Sequence, residues 1–163
     1  GFNSYFKGKT TLKEKKFLLL SYQQVLGYFG GLILLSLLSA AVTWIFLMIL
    51  GVKFSLLLSL WTGIMEFIPI FGPILAAIPI IFIAWTQSFQ LVIPILIFAL
   101  LKQFILSNLI APHILGKSTA FSPLQIFLIM LVGGEMFGIW GMIFFIPLAS
   151  IMQLFWKIYT NKI

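Results

Sequence analysis

Glu66-Phe67-Ile68-Pro69-Ile70-Phe71-Gly72 decides how this chain is read, because it recurs as Glu135-Met136-Phe137-Gly138-Ile139-Trp140-Gly141. Three of the seven positions are identical, and the others exchange apolar for apolar, aromatic for aromatic and Pro for Gly. Ile78-Pro79 follows the first copy and Ile146-Pro147 the second, one residue out of register. Apolar matches carry little weight in a chain that is 62% hydrophobic. The acids carry more, since only Glu14, Glu66 and Glu135 are present and two of them open the two copies. Two readings follow. One is coincidence between apolar segments; the other is an internal repeat whose two broken helices each place a carboxylate inside a membrane.

Composition makes the membrane assignment secure. Charged residues are 8% of the chain and mean hydropathy is +1.19, too few polar groups to cover a water-soluble surface. Several apolar runs approach or exceed the ~20 residues that cross a ~30 Å hydrocarbon core. The chain opens at Gly1 with no signal-peptide pattern and reads as part of a longer protein. There is no Cys, hence no disulfide or thiolate metal site. The net charge of +7 comes from lysines alone, and Lys7, Lys9, Lys13, Lys15 and Lys16 precede the first long apolar run. That placement fits the positive-inside rule and contact with anionic lipid, and argues against nucleic acid as a partner.

In order, residues 1–24 read as a cytoplasmic lead-in, with a short helix starting at Thr10-Thr11. Residues 25–157 read as the transmembrane permease body and 158–163 as a cytoplasmic tail. The first span covers 25–52, where Ser36, Ser39, Ala40 and Ala41 allow a second helix to approach closely. Tyr28 and Trp44 are candidate interface anchors, and Gly51-Val52-Lys53 is an outer turn. Residues 54–85 are broken near Ile68-Pro69 and Gly72-Pro73, where each Pro removes a backbone donor and crowds the preceding turn. The arms suit either a re-entrant hairpin or two short tilted spans. Residues 91–111 return toward Lys117 and carry Lys102, Gln103, Ser107 and Asn108. Gln103 and Ser107, four apart, share a face. Lys102 falls near mid-membrane, so it either snorkels to an interface or pairs with Glu66 or Glu135. His113, the only His, reads as structural. Residues 122–157 repeat the broken pattern, with Gly138 and Gly141 at the break. The fold expected is an all-α membrane protein, its transmembrane helices including two Gly/Pro-broken hairpins in inverted repeat.

At this point the residues resemble a known family. Ile68-Pro69-Ile70-Phe71-Gly72-Pro73 with Ile78-Pro79 looks like the signature turn of the autoinducer-2 exporter family of bacterial permeases. Pro112 to Lys117, Ser122-Pro123-Leu124, Gly133-Gly134 through Gly141, and Ile146-Pro147-Leu148-Ala149 resemble its further blocks in order. The resemblance covers roughly residues 22–157. It implies that this chain is the C-terminal half of a transporter of about eight spans, with the N-terminal half as its partner, in a homo-oligomer. It also implies export of autoinducer-2 in some members and sodium–proton antiport in others. Phe71 departs from the Tyr common at its position.

The leading function is therefore secondary transport across the bacterial cytoplasmic membrane, with both ends of the chain cytoplasmic. The solute would be a small polar metabolite or signal, or a cation. No cofactor is expected beyond a transported or coupling sodium ion or proton. Candidate coupling and substrate residues are Glu66, Glu135, Lys102, Gln103, Ser107 and Asn108; Pro69, Gly72, Pro73, Gly138 and Gly141 are candidate breaks or gates. A buried carboxylate costs at least ~2.5 kcal/mol on insertion scales, so it persists where it binds an ion or proton or is paired. A purely structural acid, a membrane scaffold and a passive channel stay open as alternatives. An intramembrane enzyme fits poorly, with no Asp, a peripheral His and no Ser in a nucleophile motif.

Overall fold

A computed structural model describes residues 12–115 and 121–160, and every element among them is helical. Helix α1 (Leu12–Ile49) runs unbroken across the expected lead-in boundary at residue 24. Its 38 residues reach about 57 Å at 1.5 Å per residue, well beyond a hydrocarbon core. The expected helix start at Thr10-Thr11 and the basic residue Lys117 lie outside the described residues. Helix α2 (Ser55–Met65) turns back along α1, and α3 (Phe71–Gln87) returns beside α2. A 3-10 turn at Phe89–Leu91 leads into α4 (Val92–Ile105), a π-helical segment (Leu106–Ile110) and α5 (Ala111–Leu115). Helix α6 covers Pro123–Tyr159.

Three stretches are long and apolar enough to cross a membrane: Glu14–Ile49, Phe89–Leu115 and Leu124–Tyr159. The third is interrupted at Gly138, whose φ of 61° and ψ of −142° lie in territory essentially reserved for glycine. Residues eight apart in a continuous helix are separated by about 12 Å. Here a Cβ built on Gly133 would sit 2.6 Å from the Gly141 carbonyl oxygen, so the arms 123–137 and 139–159 fold back against each other. Ser122 starts the first arm with a reciprocal cap. Its hydroxyl accepts from Gln125 N–H while the Gln125 side chain accepts from Ser122 N–H, with Pro123 in the first turn.

The α2–α3 pair lies along the C-terminal half of α1. Gly63 packs against Ala40 and Ser36, and Ser36 Oγ donates to the Gly63 carbonyl at 2.6 Å. The small residues of α1 thus admit α2 at close range. At the C-terminal end of α1 Gln87 clasps the 50–54 turn: its Oε1 accepts from Lys53 N–H at 2.7 Å, and its Nε2 donates to the Gly51 carbonyl at 3.2 Å. At the opposite end of the pair α2 stops at Met65 and the chain passes through Pro69-Ile70-Phe71. Phe71 N–H donates to the Pro69 carbonyl at 2.8 Å around Ile70, whose φ of 68° and ψ of −56° make a γ-turn of the rare, strained hand. A β-branched residue with positive φ is a true outlier. Gly72 follows, so close to Met65 that an added Cβ would fall onto the Met65 carbonyl.

Two apolar clusters hold the bundle. One joins Leu47, Val52, Leu58, Ile80, Ala84 and Ile95 around the C-terminal end of α1, with Phe46 stacked on Phe98 at 3.9 Å. The other joins Tyr28, Leu32, Ile68, Met130 and Ile146, bringing α1, the α2–α3 turn and both arms of α6 together. The end of α6 returns to the beginning of α1, where Phe155 meets Phe17 edge-to-face at 5.6 Å. The sequence reading of Tyr28 as an interface anchor is corrected here. It is 2% exposed, covered by α6 and the turn, and its hydroxyl has no partner.

Candidate functional site

The break between α2 and α3 puts Glu66 at the end of α2, where its side chain leaves the pair and meets α1. Ser39 Oγ donates to Glu66 Oε2 at 2.9 Å. From the opposite side, Lys102 Nζ on α4 donates to Ser39 Oγ at 2.9 Å and to Thr43 Oγ1 at 3.4 Å. Lys102 is 8% exposed, so the snorkelling alternative does not apply to it in this chain. The result is a polar line, Glu66–Ser39–Lys102–Thr43, with Glu66 half-buried and the other three buried, running from the end of α2 through α1 to α4. Burying one charge alone is costly, and the opposite charge close by offsets part of that cost.

A cavity of about 240 Å³ opens on one side of this line. Glu66, Pro69, Ile70 and Pro73 come from the broken region, Gln103 and Ser107 from the facing helix, and Leu32 and Leu35 from α1. Gln103 Nε2 donates to Ser107 Oγ at 2.9 Å, leaving Gln103 Oε1 buried without a partner. The polar groups lining the space are thus a carboxyl, an amide and a hydroxyl that already accepts from Gln103 and keeps its own O–H to donate. Of these, the Glu66 carboxyl suits a solute that brings hydrogen-bond donors or positive charge. A smaller cavity of about 30 Å³ lies on the other side, against Thr43, Thr62 and Lys102, and Pro73 lines both.

The facing helix is itself irregular where it borders the cavity. Pro112 offers no N–H and crowds the preceding turn, and the π-helical segment Leu106–Ile110 lies immediately upstream. Asn108 Nδ2 donates to the Phe104 carbonyl at 2.9 Å and is exposed, so it stands apart from the cavity. His113 is exposed too, with Nδ1 2.5 Å from the Leu109 carbonyl oxygen, a local contact within its own helix.

The second copy of the motif behaves differently. Gly141 occupies the close crossing with Gly133, as Gly72 does with Met65. Glu135, Gly138 and Trp140 are exposed, and Glu135 is not brought to Glu66 or Lys102. Beside this copy lies an apolar cleft of about 480 Å³, lined by Phe29, Phe137, Trp140, Phe144 and Leu148 among others. Of the residues singled out from sequence, the structure thus gathers Glu66, Pro69, Pro73, Gln103 and Ser107 on one cavity with Lys102 behind Glu66. Sequence reasoning took Ser39 only as a small packing residue and passed over Thr43; both became legible once α1, α2 and α4 met.

Residues 1–161 match the sequence profile of the AI-2E family transporters. The chain belongs to that family. It is 34% identical over 127 residues to the Bacillus subtilis protein named "Putative transport protein YrrI", a match covering 78% of this chain and 36% of the relative. It is 30% identical over 121 residues to the AI-2 transport protein TqsA of Escherichia coli, covering 74% of this chain and 35% of the relative. The chain therefore spans about a third of the length of these curated relatives. Family and apolar helices together make it part of a multi-pass membrane protein of a transporter family.

Proposed function

We propose that the full-length protein is a secondary transporter of the bacterial cytoplasmic membrane, and that Glu66 is its coupling carboxylate. One observation carries this reading: an acid at the wall of a cavity at a helix break is joined through a buried hydroxyl to an ammonium behind it. Ionisable groups at membrane depth are costly and typically mark ion or substrate pathways. The transported species is a small polar metabolite or signal, or sodium exchanged for protons. The lysine distribution supports cytoplasmic ends, with residues 1–24 and 158–163 flanking a permease body over 25–157. The folded-back elements around Pro69–Pro73 and Gly138 act as re-entrant hairpins of an inverted repeat, completed by the rest of the protein within a homo-oligomer.

Flux in proteoliposomes holding the full-length protein, under imposed pH and sodium gradients, tests the reading. Accumulation should follow one of the gradients and be lost in Glu66→Gln, with insertion intact. Downhill flux alone, indifferent to both gradients, would make the protein a channel; no flux with full assembly would make it a scaffold.

A further inference from the structure

Ser39 stands between two side chains of opposite charge that do not form a direct ion pair. It is wholly buried, its hydroxyl donating to Glu66 Oε2 and accepting from Lys102 Nζ, each at 2.9 Å. A hydroxyl has one proton and two lone pairs, so it serves both neighbours at once. Charge attraction grows as separation and local dielectric fall, and direct ammonium–carboxylate contacts settle at about 2.7–2.9 Å. Without a group between them, Lys102 has an incentive to close on Glu66. Thr43, one turn along α1, holds it back by taking a second bond from the ammonium at 3.4 Å. Among the described residues, Lys102 and Glu66 are the only charged side chains on the two cavities that flank this line.

We propose that Ser39 is a positioning residue: it holds Lys102 off Glu66 and so keeps the carboxylate available to the 240 Å³ cavity. This rests on the reading of Glu66 as the coupling group. Ser39 acts through its hydroxyl: a hydrocarbon in its place would let the two charges meet. Closure would leave the acid permanently ionised and occupied by Lys102, unable to exchange a proton or receive a solute cation.

Dicyclohexylcarbodiimide tests this directly, because it modifies carboxyl groups in apolar surroundings in their protonated form. The full-length protein would be treated in liposomes and the Glu66 peptide quantified by mass spectrometry, with Glu66→Gln as the blank. Glu66 should label in the wild type, and at least about tenfold more slowly in Ser39→Ala, equivalent to about 1.4 kcal/mol. Ser39→Thr, which keeps the hydroxyl, should label faster than Ser39→Ala. The double variant Ser39→Ala with Lys102→Met should return to the wild-type rate, which a general packing defect would not produce. Ser39→Cys, close in size but a poor donor, carries the same expectation if the alanine variant does not accumulate. Unchanged labelling in the alanine and cysteine variants, or a double variant that stays slow, would overturn the assignment. Labelling does not depend on flux. If it follows expectation while Glu66→Gln still accumulates solute, the transport reading fails and the role of Ser39 stands.

Discussion

Replacing Gly72 with alanine places a methyl group where α2 and α3 touch. The new Cβ would lie 2.8 Å from the Met65 carbonyl carbon and closer still to its oxygen. Carbon contacts are comfortable at about 3.5–4.0 Å, so the two helices must part by about 0.7 Å or more. Both neighbours are backbone, so no side chain can swing away to absorb the clash. Overpacking of this kind costs about 1–3 kcal/mol. The movement also reaches the polar line, because Glu66 follows Met65 in the chain. A displacement of about 0.7 Å along its 2.9 Å bond to Ser39 would stretch that bond past the useful range of a hydrogen bond. Gly30, in the same chain, has nothing within 4 Å of its own added Cβ. Alanine there should be neutral or gain up to about 1 kcal/mol of helix propensity. The assay is thermal unfolding of the purified full-length protein in detergent, run beside vesicle flux. At roughly 2 °C per kcal/mol, Gly72→Ala should lower the midpoint by about 2–6 °C and impair flux, while Gly30→Ala does neither. A Gly72→Ala protein with wild-type midpoint and flux would refute the argument.

Gly138→Ala should destabilise by about 1–3 kcal/mol although no atom crowds it, because its backbone conformation excludes a side chain; thermal unfolding reads the loss. Glu66→Gln should lower stability by leaving Lys102 without a counter-charge, and adding Lys102→Met should recover it, as a double-mutant cycle on unfolding midpoints would reveal. Glu135→Gln, at an exposed position of this chain, should shift that midpoint far less than Glu66→Gln. Single cysteines in this cysteine-free sequence should report the topology: a cysteine at Ser88 should react with an impermeant reagent from outside and one at Ser118 only from inside. Reaction of both from one side would remove the opposed arrangement of the two breaks.

How far the sequence could be read follows from what each residue's chemistry reveals alone. Pro69, Gly72 and Gly138 announce interruptions because a missing donor or side chain acts locally, whatever the surroundings. Lys102 could be placed at depth by counting along its helix, but not assigned a partner. Ser39 was invisible as a site residue, since serine in an apolar helix looks the same whether it eases packing or bridges two charges. Its partners lie 27 and 63 residues away. Ile70 gave no signal either, because isoleucine favours extended and helical backbone, and its γ-turn is imposed by the closure of α2 on α3. The π-helical segment had one cue in Pro112, which read as a helix end and not as a change of register upstream. The motif repeat was plain in sequence, yet repetition does not carry burial: Glu66 is half-buried against α1, while among the described residues Glu135 is exposed.

The clasp made by Gln87 has a mechanical consequence. It ties the turn after α1 to the end of α3, so the α2–α3 pair is anchored at one extremity while the other ends in the strained turn after Glu66. Helix α2, with 11 residues, makes a lever arm of about 16 Å. A pivot of about 10° at the clasp sweeps the far end through about 3 Å over that length. That is the span of one hydrogen bond, enough to part Glu66 from Ser39 while the anchored end scarcely stirs.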